Sequence, residues 1–214
     1  PLVRAGFALA TAHVRGGGEL GAEWYEAGRL HRKQNSFNDM VDCVRGLHAR
    51  GLAAPASTVL RGRSAGGLLV AATLNQAPDI CAAALLTVPF VDVVETMRNA
   101  ALPLTTLEYQ EWGNPAVPAD LASMRAYDPM HNMCRRQYPS LFVKTGLNDS
   151  RVAYWEALKW VLTVRERTVD ARACLYVDQA AGHMASSNKF EYLQELALEH
   201  AFAVHATARR NEPG

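Results

Sequence analysis

The sequence predicts an α/β fold, a mostly parallel sheet with helices on both faces, and three observations carry that prediction. Apolar runs of strand length recur at residues 81–88, 140–145 and 173–177. Segments with helical periodicity stand between them, and strand-helix alternation of this kind lays down parallel strands covered on both sides. Finally, Gly62-Arg63-Ser64-Ala65-Gly66-Gly67 joins an apolar, β-branched run ending at Leu60 to a helix-forming run at residues 68–74. A G-x-S-x-G between strand and helix is the form of a nucleophile elbow, in which small residues let the backbone turn sharply enough to expose the serine hydroxyl.

In chain order, residues 6–14 are apolar without strict alternation and predict a first strand buried on both faces. Arg15-Gly16-Gly17-Gly18-Glu19 follows as a loop, read equally as a plain turn or a ligand-side loop. Trp24 and Tyr25 are expected to pack onto the core rather than stack on a ligand. Ser36 with Asp39 resembles a capping box. Phe37, Met40, Val41, Val44 and Leu47 then recur at helical spacing up to Gly51. The elbow comes next, followed by the strand at 81–88, closed by Pro89. Between Pro89 and Pro139 the pattern loosens into a proline-punctuated, locally acidic stretch, which at this length is expected to cover a site. The strand at 140–145 runs into Asn148-Asp149-Ser150-Arg151, then a helix with Trp155, Leu158, Val161 and Leu162 on one face. The last strand, 173–177, leads through Ala180-Ala181-Gly182-His183 into a closing helix from about Asn188.

Composition excludes several classes of partner. The 214 residues carry 22 Lys and Arg against 21 Asp and Glu, a net charge of +1 that gives no reason to expect nucleic acid or an anionic membrane. No apolar run approaches the roughly 20 residues that span a bilayer. Cys43, Cys81, Cys134 and Cys174 have no metal-ligand spacing and are read as buried, reduced thiols of an intracellular, cytoplasmic protein. No metal or cofactor is expected. Asn148-Asp149-Ser150 matches a glycosylation sequon, a pattern short enough to arise by chance. The chain opens on Pro1 in strand-like sequence, so the true N-terminus is expected to lie upstream.

A serine needs a histidine to take its proton, and the resulting imidazolium needs a carboxylate to hold its orientation. In strand-helix enzymes with an elbow the chain order is Ser, Asp or Glu, His. Asp149 and His183 each follow a predicted strand, precede a predicted helix and lie downstream of Ser64. The other histidines fail on position: His48, His200 and His205 sit on predicted helices, His31 and His131 lack a strand before them, and His13 precedes the serine.

Taken together, the elbow, His13-Val14-Arg15-Gly16-Gly17-Gly18-Glu19-Leu20-Gly21, Glu111-Trp112-Gly113-Asn114-Pro115, residues 151–156 and Gly182-His183 resemble the catalytic domain of the prolyl oligopeptidase family, over nearly the whole chain. The resemblance is greatest to its oligopeptidase B branch. It implies an α/β-hydrolase fold that lacks its N-terminal strands and a β-propeller, with residues 1–214 forming a partial catalytic domain. It implies a serine peptidase cutting short peptides after Arg or Lys, with Ser64 as nucleophile, Asp149 as orienting acid, His183 as base, and Arg151 binding substrate backbone. An E-x-E pair binds the basic side chain in that branch; here Glu108 keeps the first acid and Gln110 replaces the second, leaving Glu111 to compensate. Gln110→Glu is therefore expected to strengthen cleavage after Arg if the lost carboxylate matters.

In the implied sheet order the strand preceding Gly6 lies between this chain's first strand and the elbow strand, which leaves two unpaired edges in mid-sheet. The family's oxyanion tyrosine also lies upstream, leaving the Ala65 N–H as a donor. The missing N-terminal part of the same polypeptide is thus an expected partner, and the piece alone is expected to be insoluble or inactive. The elbow does not choose the acyl group, so an esterase or acylaminoacyl hydrolase, or a non-catalytic scaffold, stands as an alternative.

Overall fold

The computed structural model describes residues 1–168, 172–184 and 188–208. Four parallel strands, β1 (Val59–Arg63), β2 (Ala83–Thr87), β3 (Ser140–Gly146) and β4 (Ala173–Asp178), lie side by side in sequence order. The helices are α1 (Ala22–Glu26), α2 (Gln34–Ala49), α3 (Ala65–Gln76), α4 (Val93–Arg98), α5 (Tyr109–Trp112), α6 (Pro118–Tyr127), α7 (Tyr154–Arg167) and α8 (Lys189–Ala208). No described helix is long and apolar enough to cross a membrane.

The two faces of the sheet are covered differently. On one, α2, α3 and α7 bury a continuous core against Leu60, Ala84, Leu86, Leu141 and Val143. On the other, α8 turns Glu195 and Glu199 inward, each about 5% exposed. Lys144 of β3 pairs with Glu195, and Arg61 of β1 pairs with Glu199 at 2.7 Å. Carboxylates this buried persist only when paired. A second cluster, including Phe37, Leu68, Phe90, Met97, Trp112 and Val152, lies under the segment between β2 and β3.

Four expectations need correction. Residues 6–14 form no strand, and Leu9 is 73% exposed. A strand exists through ladder bonds, and no described strand lies beside this run or along the outer edge of β1. Of the two mid-sheet edges expected, only that of β1 is therefore present among the described strands. Burial on both faces holds through β2, whereas β1 and β4 alternate with exposed residues because they are edge strands.

The second correction concerns Ser36 and Asp39, which do not cap α2. The helix starts at Gln34, and Ser36 Oγ donates to the carbonyls of Arg15 (2.5 Å) and Gly28 (3.2 Å) while Asp39 accepts from the Arg15 guanidinium and N–H. The glycine loop is thereby pinned as a turn onto α2. Gly28 has no room for a side chain, since a Cβ there would stand 2.2 Å from the Arg15 carbonyl carbon.

Third, the buried face of α7 is Ala157, Trp160, Val161 and Val164, with Trp155 and Leu162 about half exposed. The most apolar side chains mislead here because Glu156 is also turned inward. Fourth, only Cys81 among the cysteines is buried; Cys43, Cys134 and Cys174 are exposed.

Glu156 is what sets the phase of α7. Only 1% exposed, it accepts from the Val91 N–H (3.2 Å), the Asp92 N–H (3.1 Å) and the Thr96 hydroxyl (2.6 Å), tying α7 to the chain leaving β2. Burial raises its pKa to about 7, more than the Thr96 and Asp92 hydrogen bonds lower it, and the charge of Asp92 adds to the rise. Asp92 itself pairs with Lys159. The folded state therefore holds a proton that the unfolded chain releases between about pH 4.5 and pH 7. The stability this proton contributes is complete below the unfolded value and is lost as pH rises to 7, a fall of up to about 3 kcal/mol. Glu156→Gln, neutral throughout, is expected to flatten melting temperature against pH over that window. A slope equal to that of the parent protein would refute the assignment.

Candidate active site

Gly62 and Gly67 make the sharp turn at the end of β1 possible. A Cβ on Gly62 would lie 2.0 Å from the Gly66 carbonyl oxygen, and one on Gly67 would lie 2.6 Å from Pro89 Cβ. Between them Ser64 adopts φ 54° and ψ −119°, a conformation that side-chain-bearing residues rarely hold. Hydrogen bonds fix it: Ser64 N–H donates to the Thr87 carbonyl (3.0 Å), and the Ser64 carbonyl accepts from Gly67 (2.8 Å) and Phe90 (3.2 Å). Ala65 opens α3, and as a first-turn residue its N–H has no acceptor within the helix. The positive end of the α3 dipole points the same way.

Asp149 and His183 come from the loops after β3 and β4, so parallel strands bring both to the edge of the sheet where the elbow stands. The Asp149 side chain is fully buried and that of His183 is 10% exposed. Asp149 Oδ1 accepts from the N–H groups of Arg151 (2.8 Å) and Val152 (2.9 Å), while Oδ2 lies 2.8 Å from His183 Nδ1. A carboxylate at Nδ1 fixes the proton there and leaves Nε2 as the basic nitrogen. Leu147 N–H donates to the Asp178 carbonyl (2.8 Å) and Asn148 N–H to the Ala181 carbonyl (3.1 Å), so the loops that carry Asp149 and His183 are bound edge to edge.

Ser64, Ala65, Arg151 and His183 line one side of a cavity. Phe90, Met97, Leu102, Leu104, Trp112 and Val152 form its apolar walls. Thr96, Thr105 and Glu108 are its remaining polar lining. The irregular stretch after β2 thus covers the site, as its length implied. Thr105 Oγ1 donates to the Thr96 carbonyl (3.0 Å), and Glu156 holds Thr96 from behind.

Of the sequence-predicted residues, Ser64, Ala65, Glu108, Arg151 and His183 meet at this cavity, with Asp149 behind His183. Gln110 and Glu111 do not. Gln110 is exposed, and its carbonyl accepts from Arg29 (2.6 Å). Glu111 is already engaged by the Tyr25 hydroxyl (2.7 Å) and by Lys33 Nζ (2.9 Å), which also lies 4.5 Å over the Trp112 ring. The Tyr25 hydrogen bond to Glu111 holds the phenol above its ordinary pKa. Neither Trp24 nor Tyr25 lines the cavity, and neither belongs to the buried core.

Glu108 is the one carboxylate in the lining, and its Oε2 accepts from Trp112 Nε1 at 2.7 Å. The sequence reading missed the roles of Phe90, Thr96 and Glu156. Phe90, directly after Pro89 at the end of a buried strand, carried a signal of position alone; Glu156 carried none, since a single acid in a helix reads as surface. Among the described residues no group of three or more His, Cys, Asp or Glu is placed to hold a metal.

The chain is 40% identical over 205 residues to "Protease 2" of Moraxella lacunata and 41% identical over 204 residues to "Dipeptidyl aminopeptidase BI" of Pseudoxanthomonas mexicana, in each case over 95% of its own length. Those matches span 30% and 28% of the two relatives, so the chain corresponds to less than a third of either. Among solved structures it superposes on oligopeptidase B from Leishmania major with a TM-score of 0.90 and 40% identity, over 92% of this chain and 28% of that one. Oligopeptidase B from Trypanosoma brucei with covalently bound antipain gives 0.89 and 44%, with the same coverage. These likenesses bear out the α/β-hydrolase fold. A family model described as "Prolyl oligopeptidase family" matches residues 1–210, and the chain belongs to that family.

Proposed function

We propose that residues 1–214 are the catalytic part of a serine oligopeptidase that cuts short peptides after a basic residue. The observation that carries the reading is the convergence of Ser64, His183 and Glu108 on one cavity, with His183 Nδ1 held by buried Asp149. Family membership and the similarity to oligopeptidase B support it.

In this mechanism Ser64 Oγ attacks the scissile carbonyl as His183 Nε2 takes its proton. The Ala65 N–H donates to the oxyanion, the C–N bond breaks, and Nε2 returns the proton to the leaving amine. Water activated by the same nitrogen then hydrolyses the acyl-enzyme. Asp149 keeps the imidazole in the tautomer that makes Nε2 the base. Arg151, on the cavity rim beside Val152, is suited to a substrate backbone carbonyl.

Apolar walls with a single carboxylate among the lining suit an aliphatic cation. With Oε2 of Glu108 taken by Trp112, one oxygen is left to a ligand, so the site makes a single charge-assisted contact rather than a two-pronged clamp on a guanidinium. Lysine and arginine should then be cleaved at comparable rates.

In the full-length polypeptide, Ser64→Ala is expected to abolish both fluorophosphonate labelling and peptide hydrolysis, and Asp149→Asn to lower kcat by roughly 10⁴-fold. A Ser64→Ala variant that still labels would overturn the nucleophile, and turnover confined to ester substrates would replace the peptidase reading with an esterase. For specificity, Glu108→Gln is expected to reduce kcat/KM on Arg- and Lys-linked fluorogenic substrates by about a hundredfold. Gln110→Glu, away from the cavity, should leave both within about twofold; a selective gain on Arg substrates would show that position 110 reaches the substrate after all.

A further inference from the structure

We propose that Arg63, the residue just before the elbow serine, is a positioning residue that sets the His183 imidazole against the Ser64 hydroxyl. The inference rests on the triad reading above. Asp149 and His183 form one rigid body. Besides the two backbone bonds between their loops, Asn148 Nδ2 donates to the Gln179 carbonyl (3.0 Å), and within the loop after β4 Asp178 Oδ1 accepts from the N–H groups of Ala180 and Ala181 (2.8 Å each). The two loops touch so closely that a Cβ on Gly146 would stand 2.5 Å from the Ala181 carbonyl oxygen. The acid and base therefore move together.

The nucleophile belongs to a different part of the sheet. In the order β1-β2-β3-β4, two strands separate the elbow strand from the strand that delivers His183. At about 4.8 Å per strand, the ends of β1 and β4 lie roughly 14 Å apart. The only described hydrogen bond crossing from residues 62–67 to residues 178–184 is that of Arg63 Nη2 to the His183 carbonyl. Arginine has the reach and the planar donor fork for such a crossing. No described hydrogen bond joins Ser64 to the imidazole directly, so the Arg63 strap governs how closely the serine and base approach. Proton transfer requires that approach to fall within hydrogen-bond reach, and an ångström of misplacement costs up to about a hundredfold.

Arg61, two residues earlier on the same face, is the natural contrast, since its guanidinium pairs with buried Glu199 and not with the base loop. The experiment compares Arg63→Gln, Arg63→Lys and Arg61→Gln in the full-length polypeptide, after Ser64→Ala has established which activity belongs to the triad. Arg63→Gln is expected to lower kcat and the rate of fluorophosphonate labelling together, by about 10- to 100-fold. KM should stay within about twofold and the melting temperature unchanged, and Arg63→Lys should recover part of the loss. Arg61→Gln should do the opposite, lowering the melting temperature and leaving kcat of the folded enzyme intact. Arg63→Gln with kcat within about twofold of the parent, or with a loss that only tracks melting temperature as in Arg61→Gln, would overturn the proposal.

Discussion

Ser64 sits in a left-handed backbone conformation, φ 54°, and much of the surrounding structure keeps it there. A conformation of this kind costs on the order of 1–3 kcal/mol for a residue with a side chain. The cost is offset by hydrogen bonds from Ser64 to Thr87 and from Phe90 to Ser64, both on the chain at the end of β2. The neighbouring strand is thus part of the turn. Pro89 then packs so tightly on Gly67 that no side chain fits there, and Phe90 enters the cavity as its first apolar wall. One strained residue in this way fixes the entry of α3, the exit of β2 and one side of the pocket.

The opposite wall depends on a buried carboxyl group. Glu156 reaches from α7 to three donors on the segment leaving β2, and one of them, Thr96, faces the cavity. A carboxyl in so dry a place gains a proton more readily than in water. On the far face of the sheet the charges of α8 serve register. Glu195 with Lys144 and Glu199 with Arg61 can be satisfied in only one docking of the helix.

The candidate site draws on three loops from three strands. Those after β3 and β4 are joined by the Leu147 and Asn148 hydrogen bonds to the Asp178, Gln179 and Ala181 carbonyls, whereas the elbow's described hydrogen bond to them is that of Arg63. The rest of the cavity is built separately, on the segment between β2 and β3. There Glu111 is engaged by Tyr25 of α1 and by Lys33 at the start of α2, and Glu108 is the one carboxylate in the cavity lining.

The sequence by itself determined the elements whose signals are local. Strands 140–145 and 173–177, the α2 face of Phe37, Val41 and Val44, and the elbow are legible because period, glycine placement and chain order act over a few residues. The placement of Ser64, Asp149 and His183 at one edge of the sheet was legible for the same reason, each lying in the segment that follows a strand. What only the tertiary structure decided is whatever depends on a partner distant in the chain. Residues 6–14 carry a strand's composition but lack a neighbour to ladder with; α7 turns Glu156 inward because Val91, Asp92 and Thr96 wait there; and Ser36 abandons a cap for the carbonyls of Arg15 and Gly28. The division of labour among Glu108, Gln110 and Glu111 belongs with these. Three polar side chains within four residues look equivalent in sequence, and only the positions of Trp112, Lys33 and Arg29 around them decide which one meets the cavity.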